Sequence, residues 1–287
     1  QVRWTLSPLL HGALLALALC GVAVAVFRPA AVPRLGDLLW AEHGTATLDL
    51  VGGQVELLNS LAATGKPLVV VVMSSKPQVL PASAVDAAAL VQAFSPGMRG
   101  GRAVAELLLG LIEPSGRLPI SVPRHIGQQP SYYNQIRGQH GDRYADLTQD
   151  PLFAFGEGLG YTRVDYTDLR VHTPELGVAD TVRATVTLTN VGHRPTRETV
   201  QVYLRDLVTS ATWADKELTL HRQVDLRPGQ SLDVDLELPA AACTIVAADG
   251  RRVVEPGAFD LLVGSSSRDR DLLAGRFTIR ERPVPVG

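Results

Sequence analysis

The spacing of apolar residues changes along the chain, and each change marks a different kind of element. From Leu9 to Phe27 the chain is almost free of charge, broken only by His11 and bracketed by Arg3 and Arg28. That length approaches a membrane span. The favoured reading divides it into a buried helix from about Pro8 to Cys20 and a short core strand from Val22 to Phe27. Gly and Val runs suit a parallel strand, and no small-residue cleavage signal is clear. A membrane passage through residues 9–27 is the disfavoured alternative, and the cytoplasm is placed ahead of secretion or a membrane anchor. From Gly53 the spacing turns helical, with Val55, Leu58, Leu61 and Ala62 on one side until about Thr64, where Gly65, Lys66 and Pro67 end it. Leu68 to Met73 is a continuous, mostly β-branched run, as expected for a parallel strand covered on both faces. A second run, Ala87 to Phe94, leads through the turn Ser95 to Gly101 into a helix carrying Val104, Leu107, Leu108 and Leu111.

After Gly116 neither periodicity holds. Pro119, Pro123, Pro130 and Pro151 alternate with Tyr132, Tyr133, Tyr144 and Phe155, the texture of a packed connector. Its tyrosines could stack on a sugar, but glue between packed parts is the favoured role. From Tyr166 onward the period is two. Val182, Ala184, Val186 and Leu188 alternate with Arg183, Thr185, Thr187 and Thr189, and Leu232, Val234, Leu236 and Leu238 alternate with Asp233, Asp235 and Glu237. Val200, Val202 and Leu204, then Phe259, Leu261 and Val263, add two more half-buried strands, with turns at Arg227 to Gly229 and Glu255 to Gly257. Short strands at this spacing predict an antiparallel sandwich of the immunoglobulin type.

Composition narrows the chemistry. With 46% apolar and 20% charged residues the chain is globular, and 287 residues suffice for two domains. A net charge of −2 with no basic stripe excludes nucleic acid as the expected partner. Cys20 and Cys243 each sit in an apolar run and read as buried free thiols. His125, His140 and His221 are scattered singly, so no metal site is expected and the histidines read as exposed or capping. The turn at Ser95 to Gly101 matches no phosphate-binding fingerprint and reads as structural, as does Gly264-Ser265-Ser266-Ser267-Arg268, which only looks like a nucleophile elbow. No cofactor motif is present.

The order of motifs carries more than any one of them. Leu48-Asp49-Leu50-Val51-Gly52-Gly53-Gln54, Thr64-Gly65-Lys66-Pro67-Leu68-Val69-Val70-Val71 and Pro96-Gly97-Met98-Arg99-Gly100-Gly101-Arg102-Ala103-Val104-Ala105 resemble the second half of the α/β sandwich domain of family 3 glycoside hydrolases. Pro114-Ser115-Gly116-Arg117-Leu118-Pro119 and Phe153-Ala154-Phe155-Gly156-Glu157-Gly158-Leu159-Gly160-Tyr161-Thr162 are similar to that family's linker. Thr189-Asn190-Val191-Gly192, Glu198-Thr199-Val200-Gln201-Val202-Tyr203 and Lys216-Glu217-Leu218 resemble its fibronectin type III-like module. The resemblance, from about Leu48 to Phe277, implies α/β plus all-β: a partial αβα sandwich with a parallel-type sheet, then an immunoglobulin/fibronectin III-like β-sandwich. The implied boundaries are 1–47 for the apolar N-terminal segment, 48–125 for the α/β domain, 126–165 for the linker, 166–280 for the sandwich and 281–287 for a tail.

The same resemblance implies hydrolysis of terminal β-linked glucose or xylose with retention, which needs two carboxylates about 5–5.5 Å apart. In relatives the nucleophile sits on a barrel, and these residues show neither that barrel nor a Ser-Asp-Trp-like segment; truncation, a split gene or a mis-called start would each account for it. Glu42 is the candidate general acid/base by position, with Asp37 as runner-up, against the reading of Glu42 as a solvated loop carboxylate. Asp142 and Asp146 are expected to salt-bridge with Arg143. Glu157 and Gly160 depart from the family pattern, which has Tyr and Ser there. The expected partner is a β-linked sugar once a barrel completes the site; the alternative is a non-catalytic carbohydrate- or protein-binding, or stabilising, module.

Overall fold

A computed structural model of the chain describes residues 46–138, 141 and 144–281, and residues 23–27 by their backbone. It divides into two compact units, one of Gln1–Ile112 with Val122–Gln129, the other of Glu113–Ser121 with Pro130–Gly287.

The first unit is built on a parallel sheet in the order β1 (Ala23–Phe27), β2 (Leu68–Val72), β3 (Ala89–Gln92). The run Leu-Val-Val-Val-Val occupies the middle strand because it is apolar at every position and can be covered on both sides. Its alternation distributes it between two layers. Leu68, Val70 and Val72 pack with Leu58 of α1 (Gln54–Ala62) and Ala84 of α2 (Ala82–Val85), while Val71 packs with Val104 of α3 (Gly100–Leu108). Helices therefore lie on both faces of the sheet, the expected α/β layering. Ala23–Phe27 pairs in parallel with Leu68–Val72, so this stretch is a strand; the expected helix from Pro8 to Cys20 lies outside the described residues. Among the described residues no helix is long and apolar enough to cross a membrane.

Three element ends differ from expectation. β3 is shorter than Ala87 to Phe94, because Ala87 N–H bonds to Ala84 in the turn closing α2 and Phe94 takes φ 49°, outside the strand region. α1 stops at Ala62 rather than Thr64, since Thr64 turns back on Leu61 through both its N–H and its hydroxyl and Gly65 follows at φ 69°. Gly110, at φ 69°, ends the last helix before Leu111, which is left 71% exposed instead of joining the apolar face.

The second unit is a sandwich. One sheet joins β4 (Val164–Val171), β6 (Thr181–Asn190) and β9 (Ser231–Pro239) in the order β4-β6-β9. The other has the order β5-β13-β12-β7-β8, from β5 (Glu175–Gly177), β7 (Thr196–Asp206), β8 (Glu217–Leu226), β12 (Gly257–Gly264) and β13 (Leu272–Arg280). β10 (Ile245–Val246) and β11 (Arg252–Val253) form a separate pair. Val186, Leu188, Val234 and Leu236 from one sheet meet Val200, Val202, Leu261 and Phe277 from the other in a single core. Phe259 and Phe277 are cross-strand neighbours whose rings stack 5.4 Å apart.

β7 departs from a half-buried strand. Its alternate residues Gln201 and Tyr203 are as buried as Val200 and Val202, because the connector covers that face. Gly156 N–H bonds to Leu118 O at 2.7 Å and Leu118 N–H to Glu157 O at 2.9 Å, so two stretches of connector pair with one another. Tyr133 stacks on Phe155 at 4.2 Å, meets Tyr203 edge-on at 5.8 Å, and its hydroxyl accepts from Leu218 N–H at 3.0 Å.

Candidate functional site

In an open α/β sheet, ligands are taken at the carboxyl ends of the strands. Here Phe27, Val72 and Gln92 stand in register at that edge. Past β2, Ser74 is buried, donates its hydroxyl to Lys76 O at 2.5 Å and accepts from Gln92 Nε2 at 3.3 Å. Gln78 is also buried; with its amide nitrogen facing the carbonyls of Leu48 and Asp49 it donates to both at 3.1 Å. A cavity of about 10 Å³ between Val51, Met73 and Gln78 has room for one water. Polar side chains thus lace the loops together. Past β3, Gly97 takes φ 71° and a Cβ on Gly100 would stand 2.5 Å from Pro96 Cγ, so these glycines answer to the geometry of the turn. Met98 is fully exposed at its tip. Glu42 and Asp37 lie outside the described residues, as do Asp142, Arg143, His140 and Cys20.

In the second unit the charged side chains fasten the connector to the sandwich. Arg117 Nη2 donates to Glu198 Oε2 at 2.8 Å, with the two side chains only 11% and 6% exposed, and the Tyr166 hydroxyl donates to Glu198 Oε1 at 2.9 Å. Burial first, then the neighbouring Glu198 carboxylate, hold the Tyr166 phenol far above its ordinary pKa, so it remains a donor. Gln201 Nε2 donates to Gly156 O at 2.9 Å and Ser265 O at 2.6 Å, while its oxygen accepts from the Tyr203 hydroxyl at 2.6 Å. Gly156 has φ 78°, and a Cβ there would collide with the Gln201 amide. A third group is Lys216, whose Nζ donates to Asp269 at 2.6 Å, and Arg205, which bonds Asp215 at 2.6 Å and Asp269 at 3.1 Å.

Both departures from the family pattern are satisfied locally. Glu157 Oε2 accepts from Ala154 N–H at 2.7 Å and from Arg268 Nε at 2.9 Å, and Arg268 also donates to Leu152 O at 2.8 Å. At Gly160 an added Cβ would stand 2.6 Å from Glu113 Oε1, so the carboxylate takes the room a side chain would need. Ser266 and Ser267 serve the turn at the end of β12, bonding to Asp271 and Phe155. His125 caps a short helical turn by accepting from Gly127 N–H, and His221 is exposed. Asp146, Tyr132 and Tyr144 are exposed. Cys243 is a buried free thiol whose pKa burial pushes up to about 12. Among the described residues no three of His, Cys, Asp and Glu gather as metal ligands.

Arg117, Glu198, Gln201 and Tyr166 are absent from the residues singled out by sequence for a role. The signal lay in Gln201, a polar residue on an alternating strand whose opposite face was expected to meet solvent.

The model of the glycosyl hydrolase family 3 C-terminal domain matches residues 24–161, and that of the fibronectin type III-like domain matches 198–267. The chain carries the C-terminal domain of the glycosyl hydrolase 3 family, followed by a fibronectin type III-like domain. Among similar proteins, a beta-xylosidase of Formosa agariphila is 34% identical over 242 residues, covering 82% of this chain and 33% of the relative. A periplasmic beta-glucosidase of Salmonella typhimurium is 34% identical over 224 residues, covering 75% and 29%. The chain spans about a third of the length of the curated relatives it matches. Among solved structures, a beta-glucosidase involved in saponin metabolism from intestinal bacteria superposes with a TM-score of 0.82 at 48% identity, over 94% of this chain and 38% of that one. The beta-glucosidase of Listeria innocua in complex with glucose gives 0.80 at 27% identity, over 91% and 36%.

Proposed function

We propose that these residues are the C-terminal portion of a β-glycosidase that releases terminal β-linked glucose or xylose with retention. The observation that supports this most is the pair of family modules in chain order, shared with relatives named beta-xylosidase and beta-glucosidase of which this chain spans about a third. Retention takes a nucleophile and an acid/base. Glu42 is the proposed acid/base, ahead of Asp37, and the nucleophile and most of the sugar pocket belong to a barrel outside these 287 residues. The chain alone is therefore inactive. The test is turnover of nitrophenyl β-glucoside and β-xyloside by the purified chain, alone and mixed with a separately expressed family 3 barrel. Silence alone and activity on mixing, lost in Glu42→Ala, is expected. Turnover by the unaccompanied chain would sink the proposal. A second reading, a non-catalytic carbohydrate-binding module, is favoured by a groove on the sandwich.

A further inference from the structure

A concavity of about 1000 Å³ opens on the second unit where β7 begins and the β8–β9 turn returns, joined by Glu113 and Ser115 of the connector. Its charges balance. Arg197 and Asp225 stand opposite each other on β7 and β8 and close a two-bond fork, Nε to Oδ1 at 2.8 Å and Nη2 to Oδ2 at 3.1 Å. Arg227 and Gln230 bring a guanidinium and a carboxamide from the turn, and Pro195 and Pro228 supply apolar rings.

The frame beneath it is rigid. Asn190, 0% exposed, donates its backbone N–H to Gln230 O and accepts Gly229 N–H at its own carbonyl, both at 2.9 Å. Its side-chain amide donates to Arg194 O at 2.8 Å and Leu226 O at 3.3 Å. Within the turn, Arg227 N–H bonds to Gln230 Oε1 at 2.9 Å and Gln230 N–H to Arg227 O at 3.0 Å. The backbone that a ligand would meet is thus already held, which lowers the cost of binding.

The ligand class follows from the lining. An anion is disfavoured, because Asp225 spends the charge of Arg197 and Glu113 lines the same groove. A helical or extended peptide would want large apolar pockets, and the rings of Pro195 and Pro228 are the main apolar surface offered. A saccharide hydroxyl both donates and accepts. An Arg–carboxylate fork, a carboxamide and the hydroxyl of Ser115 present donors and acceptors side by side, while proline rings suit the C–H faces of a pyranose. We propose that this groove binds a neutral β-linked oligosaccharide, giving the sandwich a sugar-holding site of its own. The inference rests on the proposed function only for the kind of sugar.

The test is calorimetry and heteronuclear NMR on the full chain with cellotetraose and xylotetraose. Saturable binding of at least one is expected, with the largest amide shifts at Ser115, Arg197, Arg227 and Gln230. Arg227→Ala should weaken it about tenfold or more at an unchanged Tm, and Asp225→Asn should weaken it as well by unbalancing the fork. Three results would overturn the site: no saturable shift up to about 10 mM of either sugar, affinity untouched in both variants, or shifts confined to another face. Tighter binding of a proline-rich peptide at the same residues would do so too. Failure of the barrel-mixing assay would leave this measurement standing, since it reads binding by the chain alone.

Discussion

Glu198 is a carboxylate removed from water and held by one guanidinium and one phenol. Removing one member of such a buried pair typically costs roughly 3–5 kcal/mol, because the partner is left charged and unpaired. Glu198→Ala or Arg117→Ala is expected to lose stability on that scale in urea unfolding, and Tyr166→Phe about 1–3 kcal/mol. A loss below about 1 kcal/mol for both alanine variants would show that the pair is not shielded in solution. Asp206 presents the opposite case. Burial raises its pKa, reinforced by Glu255 and opposed by the Val208 N–H and Arg137. A carboxyl whose folded pKa is raised contributes stability below its unfolded value and loses that contribution as pH rises through the folded one. At neutral pH the ionised group therefore weighs against the fold. Asp206→Asn keeps an oxygen for Val208 N–H, which Asp206 Oδ1 accepts at 3.1 Å, and should be at least as stable as the parent at pH 7. Its advantage should shrink toward about pH 4, near the ordinary carboxylate range. Unfolding curves at the two pH values decide the point, and a variant weaker at pH 7 than at pH 4, relative to the parent, refutes it.

Secondary elements were legible wherever one force dominated. The Leu68–Val72 strand could only be a doubly covered one, and the alternation in β6 and β9 announced which side faces the core. Ends were less legible, because Thr64, Phe94 and Gly110 are settled by local hydrogen bonds or by φ, which periodicity does not carry. β7 was read as half-buried because its second cover comes from residues that are distant in the chain and have no period of their own. That cover has a practical meaning for where the sandwich can be cut. A fragment of residues 166–281, the start suggested by the onset of alternation, would expose Tyr203 and Gln201 and lose Arg117, the ionic partner of Glu198, and Glu157, that of Arg268. It is expected to aggregate or to melt well below a fragment of residues 113–281. Equal solubility and Tm of the two fragments would refute this.

At the scale of the molecule, architecture was readable because motif order survives where single motifs are weak, whereas the proposed reaction was not, because the two carboxylates it requires would come from segments far apart. Glu42 could be reached only by resemblance; nothing in its local pattern separates an acid/base from an ordinary loop glutamate. The decisive prediction therefore belongs to this scale too: complementation by a barrel, and its loss with Glu42→Ala. The burial of Cys243 has a use beyond packing. Thiol reagents attack the thiolate, and a group pushed up to about 12 inside the sandwich presents almost none while the domain stays shut. Alkylation at that sulfur, followed by mass spectrometry of its own peptide, therefore keeps time for the opening of the sandwich, an internal clock that needs no engineered label.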